Sequence, residues 1–182
     1  YAGQPGPHGG GALYELLTGQ FNPSGRLPFT YPRDPHNLLP YDHKHSDSVG
    51  PDADTPGFNP LYEFGHGLSY TTFKYDKLEV PPGPLTQIGS LSLSVEVTNT
   101  GPRKGTETVH VFARDLFAAI VPPVKRLRAF SQVELSPGET KTVTFDIPVT
   151  DLAYFGPKNY PILEPGEFEV MIADQKATVT VQ

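Results

Sequence analysis

Apolar residues fall on every second position in four separate runs of the C-terminal half, and this alternation limits most strongly what the chain can fold into. The runs cover residues 91–97, 109–113, 143–147 and 168–172. Successive side chains of a β-strand point to opposite faces, so each run predicts a strand with one buried and one exposed face. The C-terminal half is therefore expected to form sheets.

Seven strands are predicted from this pattern, with turn-forming residues between them. Asn99-Thr100-Gly101, Ser136-Pro137-Gly138 and Pro165-Gly166 supply the clearest turn signals. About seven short strands in about 100 residues are typical of an immunoglobulin-like β-sandwich. The predicted strands are residues 71–80, 91–100, 106–114, 124–135, 140–148, 167–173 and 177–181.

The N-terminal region has a different character, because proline and glycine are concentrated in residues 1–84. One helix is predicted after Gly9-Gly10-Gly11, with leucines at helical spacing, and Gly19 is placed to end it. Residues 27–31 predict a short edge-like extended segment, since Pro28 cannot donate to a ladder. A long irregular loop follows over residues 33–60, and loops of this length are usually functional or pack on another element.

Composition excludes several classes of function. The chain has no cysteine, which rules out disulfides, thiol catalysis and cysteine-ligated zinc. The net charge is −6 and the basic residues are scattered, so no nucleic-acid partner is expected. No apolar run is long enough to predict a membrane span. The glycines before the helix lack the Lys-Ser/Thr pair of a phosphate-binding loop, so no cofactor is predicted.

Three ordered segments carry a resemblance to a known family. Residues 5–28 begin PGPHGGGAL and end NPSGRLP, residues 60–73 read PLYEFGHGLSYTTF, and VKRLRAF and LSPGET follow within the sandwich. In this order the segments resemble glycoside hydrolase family 3, whose signature is PGxxGGxAxxxxLxGxxNPSGRLPxTxP followed by PLYxFGxGLSYTxF. One departure lies at His8, near which the family often carries an acidic residue.

The resemblance implies a fold, a division of the chain and an activity. Residues 1–70 would be the C-terminal part of the family's α/β sandwich domain with a long loop and linker, and residues 71–182 a fibronectin type III-like β-sandwich. The fold class would be mainly β. The implied activity is retaining exo-hydrolysis of terminal β-linked sugars, most often glucosides, by a nucleophile and an acid/base carboxylate. The implied partners are the upstream barrel and α/β domains and a β-linked oligosaccharide or glucoside, and the implied location is secreted or periplasmic.

No catalytic residue is expected within this chain, since the family carries both catalytic carboxylates upstream. The carboxylates of residues 42–63 lie in a proline-rich loop that would not hold a pair at fixed separation. The His and Asp side chains of residues 42–47 invite a metal site, but a loop gives such ligands no fixed geometry, so no metal is predicted.

Three loop residues are the candidates for contact with substrate: Tyr41, His43 and Phe58. They could reach an aglycone at the mouth of the sugar pocket in the assembled enzyme. The alternative, which we favour, is that they seal an interdomain interface, because apolar loop residues usually pack.

Two other classes of function remain open as alternatives. A carbohydrate-binding module would need a planar row of exposed aromatic residues, whereas the strands turn mostly Thr, Ser, Glu and Lys outward. A spacer module would have no use for the helix-turn segment of residues 9–28. If the chain is a portion of a family 3 hydrolase, the isolated chain should expose an apolar face around Leu13, Leu16, Leu17 and Phe29.

Overall fold

A computed structural model describes residues 3–37, 40–45 and 57–182. One α-helix, α1, spans Gly9–Leu17. The strands, in chain order, are β1 Phe73–Glu79, β2 Ser90–Asn99, β3 Gly105–Asp115, β4 Arg126–Leu135, β5 Thr140–Pro148, β6 Tyr154–Phe155, β7 Pro161–Ile162, β8 Gly166–Ile172 and β9 Gln175–Val181. A 3₁₀ helix, Val149–Leu152, follows β5.

Seven of the strands form a two-sheet sandwich, which confirms the predicted mainly-β class. One sheet has the order β1-β2-β5, and the other has the order β4-β3-β8-β9. All of these pairings are antiparallel. The sandwich buries its inner faces and leaves β4 and β9 as the edges of the larger sheet. The division of the chain between residues 70 and 71 stays a prediction.

The core is made by the alternation seen in the sequence. Leu91, Val95 and Val97 of β2 are fully buried, and they face Val109 and Val111 of the opposite sheet within one apolar cluster. Complete burial of such a side chain contributes about 1.5–3 kcal/mol. Phe168 of β8, Leu135 of β4 and Val181 of β9 belong to the same cluster, so every strand of the larger sheet supplies a core residue.

Two local features were not predicted. The first is the short hairpin of β6 and β7, whose strands are too short to produce a periodic pattern. The second is a pair of β-bulges, one in β1 between Asp76 and Glu79 and one where β3 meets β4 at Val111 and Phe112. Lys77 lies in the first bulge with a φ of 51°, in the left-handed region. The first bulge shifts the apolar positions from Phe73 and Tyr75 to Leu78 and Val80, which pack against the same core.

The N-terminal segment is ordered by backbone hydrogen bonds more than by a core of its own. Tyr31 N donates to Tyr62 O at 2.8 Å, and Gly65 N donates to Leu27 O at 2.8 Å. The predicted extended segment of residues 27–31 therefore pairs with residues 61–65. Leu17 is 80% exposed and Phe29 is also exposed, whereas Leu13 and Leu16 are half-buried. Of the four residues of the expected apolar face, two are therefore exposed and two are partly covered, and the face as a whole stays a prediction.

Candidate functional site

The junction between the N-terminal segment and the sandwich is built around Arg26. Its Nη2 pairs with the carboxylate of Glu107 on β3, and its Nη1 donates to Gly67 O at 2.6 Å. Both partners of the ion pair are buried, with side chains 12% and 10% exposed. Gly67 must be glycine in this packing, because an added Cβ would lie 2.4 Å from Gly25 O. The turn before Leu27 therefore holds two later parts of the chain together.

A phenol completes the polar centre of the junction. Tyr75 Oη donates to Glu107 Oε1 at 2.9 Å. Burial raises the pKa of Tyr75 far above its usual range, and the Glu107 carboxylate raises it further. The phenol thus stays protonated, and Glu107 accepts hydrogen bonds on both oxygens. A buried carboxylate with both oxygens occupied is a structural clamp rather than a free base.

Asn22 ties the same turn to the sandwich at a second point. Its Nδ2 donates to Lys104 O at 3.0 Å, and its Oδ1 accepts from Ser69 Oγ at 2.9 Å and from Tyr70 N at 2.8 Å. The helix is anchored nearby, since Tyr70 Oη donates to Leu16 O at 2.7 Å. One amide side chain therefore joins three segments that are far apart in sequence.

The rings of Tyr41 and Phe64 lie over part of the outer face of the larger sheet, and we call these two rings the aromatic cover. Tyr41 stacks on Phe64 with ring centroids 4.4 Å apart, and Phe64 meets the edges of His110 and Phe112 at 5.8 and 6.1 Å. Lys125 Nζ lies 5.1 Å from the centre of the Phe112 ring. Burial lowers the pKa of His110, which favours its neutral form. The rings of His110 and Phe112 are therefore partly covered.

The structure places the three predicted loop residues in this cover or beside it. Tyr41 is half-buried, and its Oη accepts from Leu127 N at 3.3 Å. His43 is buried, stacks on Phe58 at 3.8 Å, and accepts the Val124 N–H with its backbone oxygen at 2.9 Å. β4 begins at Arg126, two residues after the predicted start at Val124. Contact of these three residues with a sugar stays a prediction.

The carboxylates of the loop are not paired with one another where the structure describes them. Asp42 Oδ2 lies 3.5 Å from Arg126 Nε, and Glu63 Oε2 lies 3.5 Å from Lys125 Nζ. Asp47, Asp52 and Asp54 lie outside the described residues. Across the described ranges, no group of three or more His, Asp or Glu side chains could hold a metal ion.

An open groove of about 650 Å³ runs along residues 58–66, next to the aromatic cover. Tyr62 and His66 stack in it with centroids 4.7 Å apart. Tyr62 is 44% exposed, so part of this aromatic surface is available to another part of the protein.

Sequence reasoning missed His110 and Phe112 as residues that anchor the cover. Both point outward from β3, between the core positions Val109, Val111 and Ala113. A strand that is apolar on both faces is typical of a sheet covered on both sides. The run of residues 109–113 carried that signal.

Comparison with known proteins gives two matches to family models. Residues 1–70 match the glycosyl hydrolase family 3 C-terminal domain, and residues 107–176 match the fibronectin type III-like domain. The periplasmic β-glucosidase of Salmonella typhimurium is 36% identical over 184 residues, which cover 96% of this chain. The chain belongs to glycoside hydrolase family 3. Within that family it is a C-terminal portion, and it spans about a quarter of the length of the relatives that it matches.

Other family 3 proteins agree in sequence and in fold. A β-xylosidase of Formosa agariphila is 34% identical, covering 97% of this chain and 25% of its own length. The β-glucosidase from Listeria innocua, solved in complex with glucose, superimposes with a TM-score of 0.88 at 30% identity. That match covers 97% of this chain and 27% of the Listeria chain. The family 3 motifs NPSGRLP and PLYEFGHGLSY are therefore the segments that build the junction described above.

Proposed function

We propose that this chain is the C-terminal part of a retaining, exo-acting β-glycosidase that hydrolyses terminal β-linked sugars. β-Glucosides are the substrate class we favour, since of eight similar relatives six are named β-glucosidases and two are named β-xylosidases. Both catalytic carboxylates belong to the upstream part of such an enzyme, and the role of this chain is structural.

The observation that carries this proposal is an apolar face attached to a rigid sandwich. Leu17 is 80% exposed and Leu68 is 77% exposed, and Tyr14 and Phe21 are more than half exposed on the same segment. Isolated exposed apolar residues are common, but a set this dense marks an interaction surface. The Arg26–Glu107 pair fixes that segment to the sandwich, so the surface has a defined position.

The upstream barrel and α/β domains are the partners we infer for this face. The match leaves about three quarters of the relatives' length outside it, which is room for such domains. The β-linked substrate would then be bound by the assembled enzyme, with Tyr41, His43 and Phe58 at the edge of the interface. In this arrangement the sandwich holds the second domain against the barrel, which supports the separation of the catalytic pair.

A location outside the cytosol, secreted or periplasmic, is part of the same proposal. The relatives include a periplasmic enzyme of Salmonella typhimurium and a lysosomal enzyme of Dictyostelium discoideum. Among the helices that the structure describes, none is long and apolar enough to cross a membrane.

The second candidate is a carbohydrate-binding or spacer module without a catalytic partner. A binding module would present aromatic rings on an open sheet face, but Phe64 and Tyr41 cover Phe112 on the larger sheet. A spacer would not need the buried ion pair to a second segment. Both observations favour the structural role within a larger enzyme.

Hydrolysis of aryl β-glycosides tests the proposal. The purified 182-residue chain is expected to be inactive, and the same chain co-expressed with the upstream region of its protein is expected to release the aryl group. Aryl β-glucoside and aryl β-xyloside are compared in the active preparation to establish the sugar. Activity of the isolated chain above that of a mock purification would contradict the structural role.

A further inference from the structure

His110 lies where the motif of residues 60–73 crosses the outer face of the larger sheet. Its ring is half-buried, meets the Phe64 ring with centroids 5.8 Å apart and stacks on Phe112 at 6.0 Å. The backbone of Gly65 also lies against it, because a Cβ added at Gly65 would be 3.6 Å from His110 Cε1. Residues 64 and 65 therefore rest on a ring that can take up a proton.

The surroundings of His110 favour its neutral form. Burial is the main cause that lowers the pKa of the imidazole. The Glu107 carboxylate raises that pKa, and the Arg26 guanidinium lowers it. Since Arg26 and Glu107 form an ion pair with each other, their effects on His110 oppose one another, and burial decides the direction.

A second ion pair flanks the same contact. Lys125 Nζ lies 3.5 Å from Glu63 Oε2 and 5.1 Å from the centre of the Phe112 ring, on which His110 also stacks. Across the ladder, the β4 residue opposite His110 is the uncharged Phe130. A positive charge on His110 would thus lie among aromatic rings, where it would lose much of its hydration.

Protonation of His110 therefore favours states in which water reaches its ring. Phe64 and Gly65 lie against that ring, so a state in which these two residues leave it lets water hydrate the charge. Histidine is the side chain whose ordinary pKa places such a change of charge between pH 5 and 8. Switches of this kind need an element with two arrangements, and a short stretch held by ring contacts meets that need.

We propose that His110 is a pH-sensitive latch, whose protonation releases residues 64–65 from the outer face of the larger sheet. The Arg26–Glu107 pair keeps the N-terminal segment attached to the sandwich, so the release is local. The position of the Phe64 ring, one of the two rings of the aromatic cover, then depends on pH. The latch lies wholly within the described residues and makes no use of the upstream domains.

The latch is closed at neutral pH and opens in acid. The closed contact is complete above about pH 6.5, the ordinary pKa of histidine, because His110 is then neutral in both the closed and the open state. As the pH falls from there towards the lowered pKa of the closed state, protonation favours the open state. A difference of one between the pKa values of the two states makes opening up to about tenfold more favourable.

Amide hydrogen exchange of the 182-residue chain, followed by NMR from about pH 7.5 to about pH 5.5, tests the latch. The Gly65 N–H donates to Leu27 O at 2.8 Å. Leu27 is held next to the Arg26–Glu107 pair, so release of residue 65 breaks this hydrogen bond. Divided by the intrinsic rate at each pH, the exchange of Gly65 should become faster as the pH falls. The change should follow the titration of His110, measured on the same sample from its Cε1–H resonance.

Two variants separate His110 from its neighbour His66. His110→Gln cannot become charged, so its Gly65 protection should not change with pH. His66→Gln is the matched control, because His66 is exposed and stacks on Tyr62, and it should behave like the wild type. Loss of the pH dependence in His66→Gln, or its persistence in His110→Gln, would overturn the proposal.

The wild-type measurement stands without either variant. If His110 titrates while the protection of Gly65 stays constant, protonation does not release the contact. Gly65 protection equal to that of the buried β2 amides would show that the contact opens only when the whole chain unfolds. Either outcome contradicts the latch, and neither depends on glycosidase activity, so the proposed enzymatic role is tested separately.

Discussion

Arg26 in the turn after the helix forms a buried ion pair with Glu107, a residue 81 positions later on β3. Tyr75 donates to the other oxygen of the same carboxylate. The pair joins the family 3 motif NPSGRLP to the fibronectin type III-like sandwich. The motif that the sequence indicates as a turn therefore also fixes the N-terminal segment to the sandwich.

Removal of one partner of this pair should destabilise the chain strongly. Glu107→Ala leaves the Arg26 charge buried without a carboxylate, which costs about 3–5 kcal/mol in the free energy of unfolding. Urea unfolding followed by circular dichroism measures the loss. Glu134→Ala is the control, because its exposed pair with Lys104 has side chains about 60% exposed and should cost no more than about 1 kcal/mol. Equal losses in the two variants would refute the role of the lock.

Asn22 should control local opening of the junction. Asn22→Ala removes the hydrogen bonds to Lys104 O, Ser69 Oγ and Tyr70 N, and each is worth about 0.5–1.5 kcal/mol. Amide hydrogen exchange at Tyr70 should accelerate, since its N–H loses its acceptor. Asn22→Asp keeps the acceptor oxygen, so exchange at Tyr70 should stay close to that of the wild type. Fast exchange in both variants would show that the amide oxygen is not the protecting group.

Tyr41 should contribute to stability mainly through its ring. Tyr41→Phe keeps the stack on Phe64 and removes only the 3.3 Å hydrogen bond from Leu127 N, so it should cost less than about 1 kcal/mol. Tyr41→Ala also removes the ring and should cost about 2 kcal/mol more. Chemical denaturation of the two variants gives the difference. A larger effect of Tyr41→Phe than of the further step to alanine would contradict this account.

His110 should make the chain less stable as the pH falls through the histidine range. Its pKa is lowered in the folded state, chiefly by burial, so the unfolded state binds more protons between the folded pKa and about 6.5. The part of the folding free energy that depends on a neutral His110 is complete above about pH 6.5, and it is lost as the pH falls towards the folded pKa. Urea midpoints of the wild type and of His110→Phe, compared from about pH 7.5 down to about pH 5.5, should differ in slope. Urea midpoints that change equally with pH in both proteins would exclude His110 as the source of the pH dependence.

Leu17 should matter for assembly and not for the fold of the sandwich. Leu17→Asp should lower self-association and hydrophobic-dye binding of the isolated chain, because it breaks the exposed apolar face. In the co-expressed enzyme the same change should reduce glycosidase activity. Ile88→Asp is the control, since Ile88 is 95% exposed on the sandwich away from this face, and it should leave activity unchanged. A monomeric wild-type chain that binds no dye would count against the docking face.

The strands could be predicted because burial on one face leaves a period of two in the sequence, as Leu91, Leu93 and Val95 illustrate. The β6–β7 hairpin could not, since two residues per strand produce no period. The bulge at Arg128 was equally hidden, because it shifts which residues face inward without changing the composition of β4.

Only part of the junction between the N-terminal segment and the sandwich could be predicted from the sequence. Glu107 falls on the same face as Val109 and Val111, and a charged residue at a buried position signals a partner. The sequence does not indicate which cation pairs with it, because contacts between distant segments depend on the folded backbone. Tyr41, His43 and Phe58 could be selected as loop aromatics, but the one β3 ring that Tyr41 contacts, Phe112, lies about 70 residues further along the chain.

The separation of Arg26 from Glu107 also sets an order of events during synthesis. A ribosome adds about 5–20 residues per second, so roughly 4–16 s pass between the appearance of the two residues. Through that interval the nascent guanidinium has no carboxylate to meet, and the turn that carries it cannot close on the sandwich. The strand that carries Glu107 thus fixes a segment made well before it.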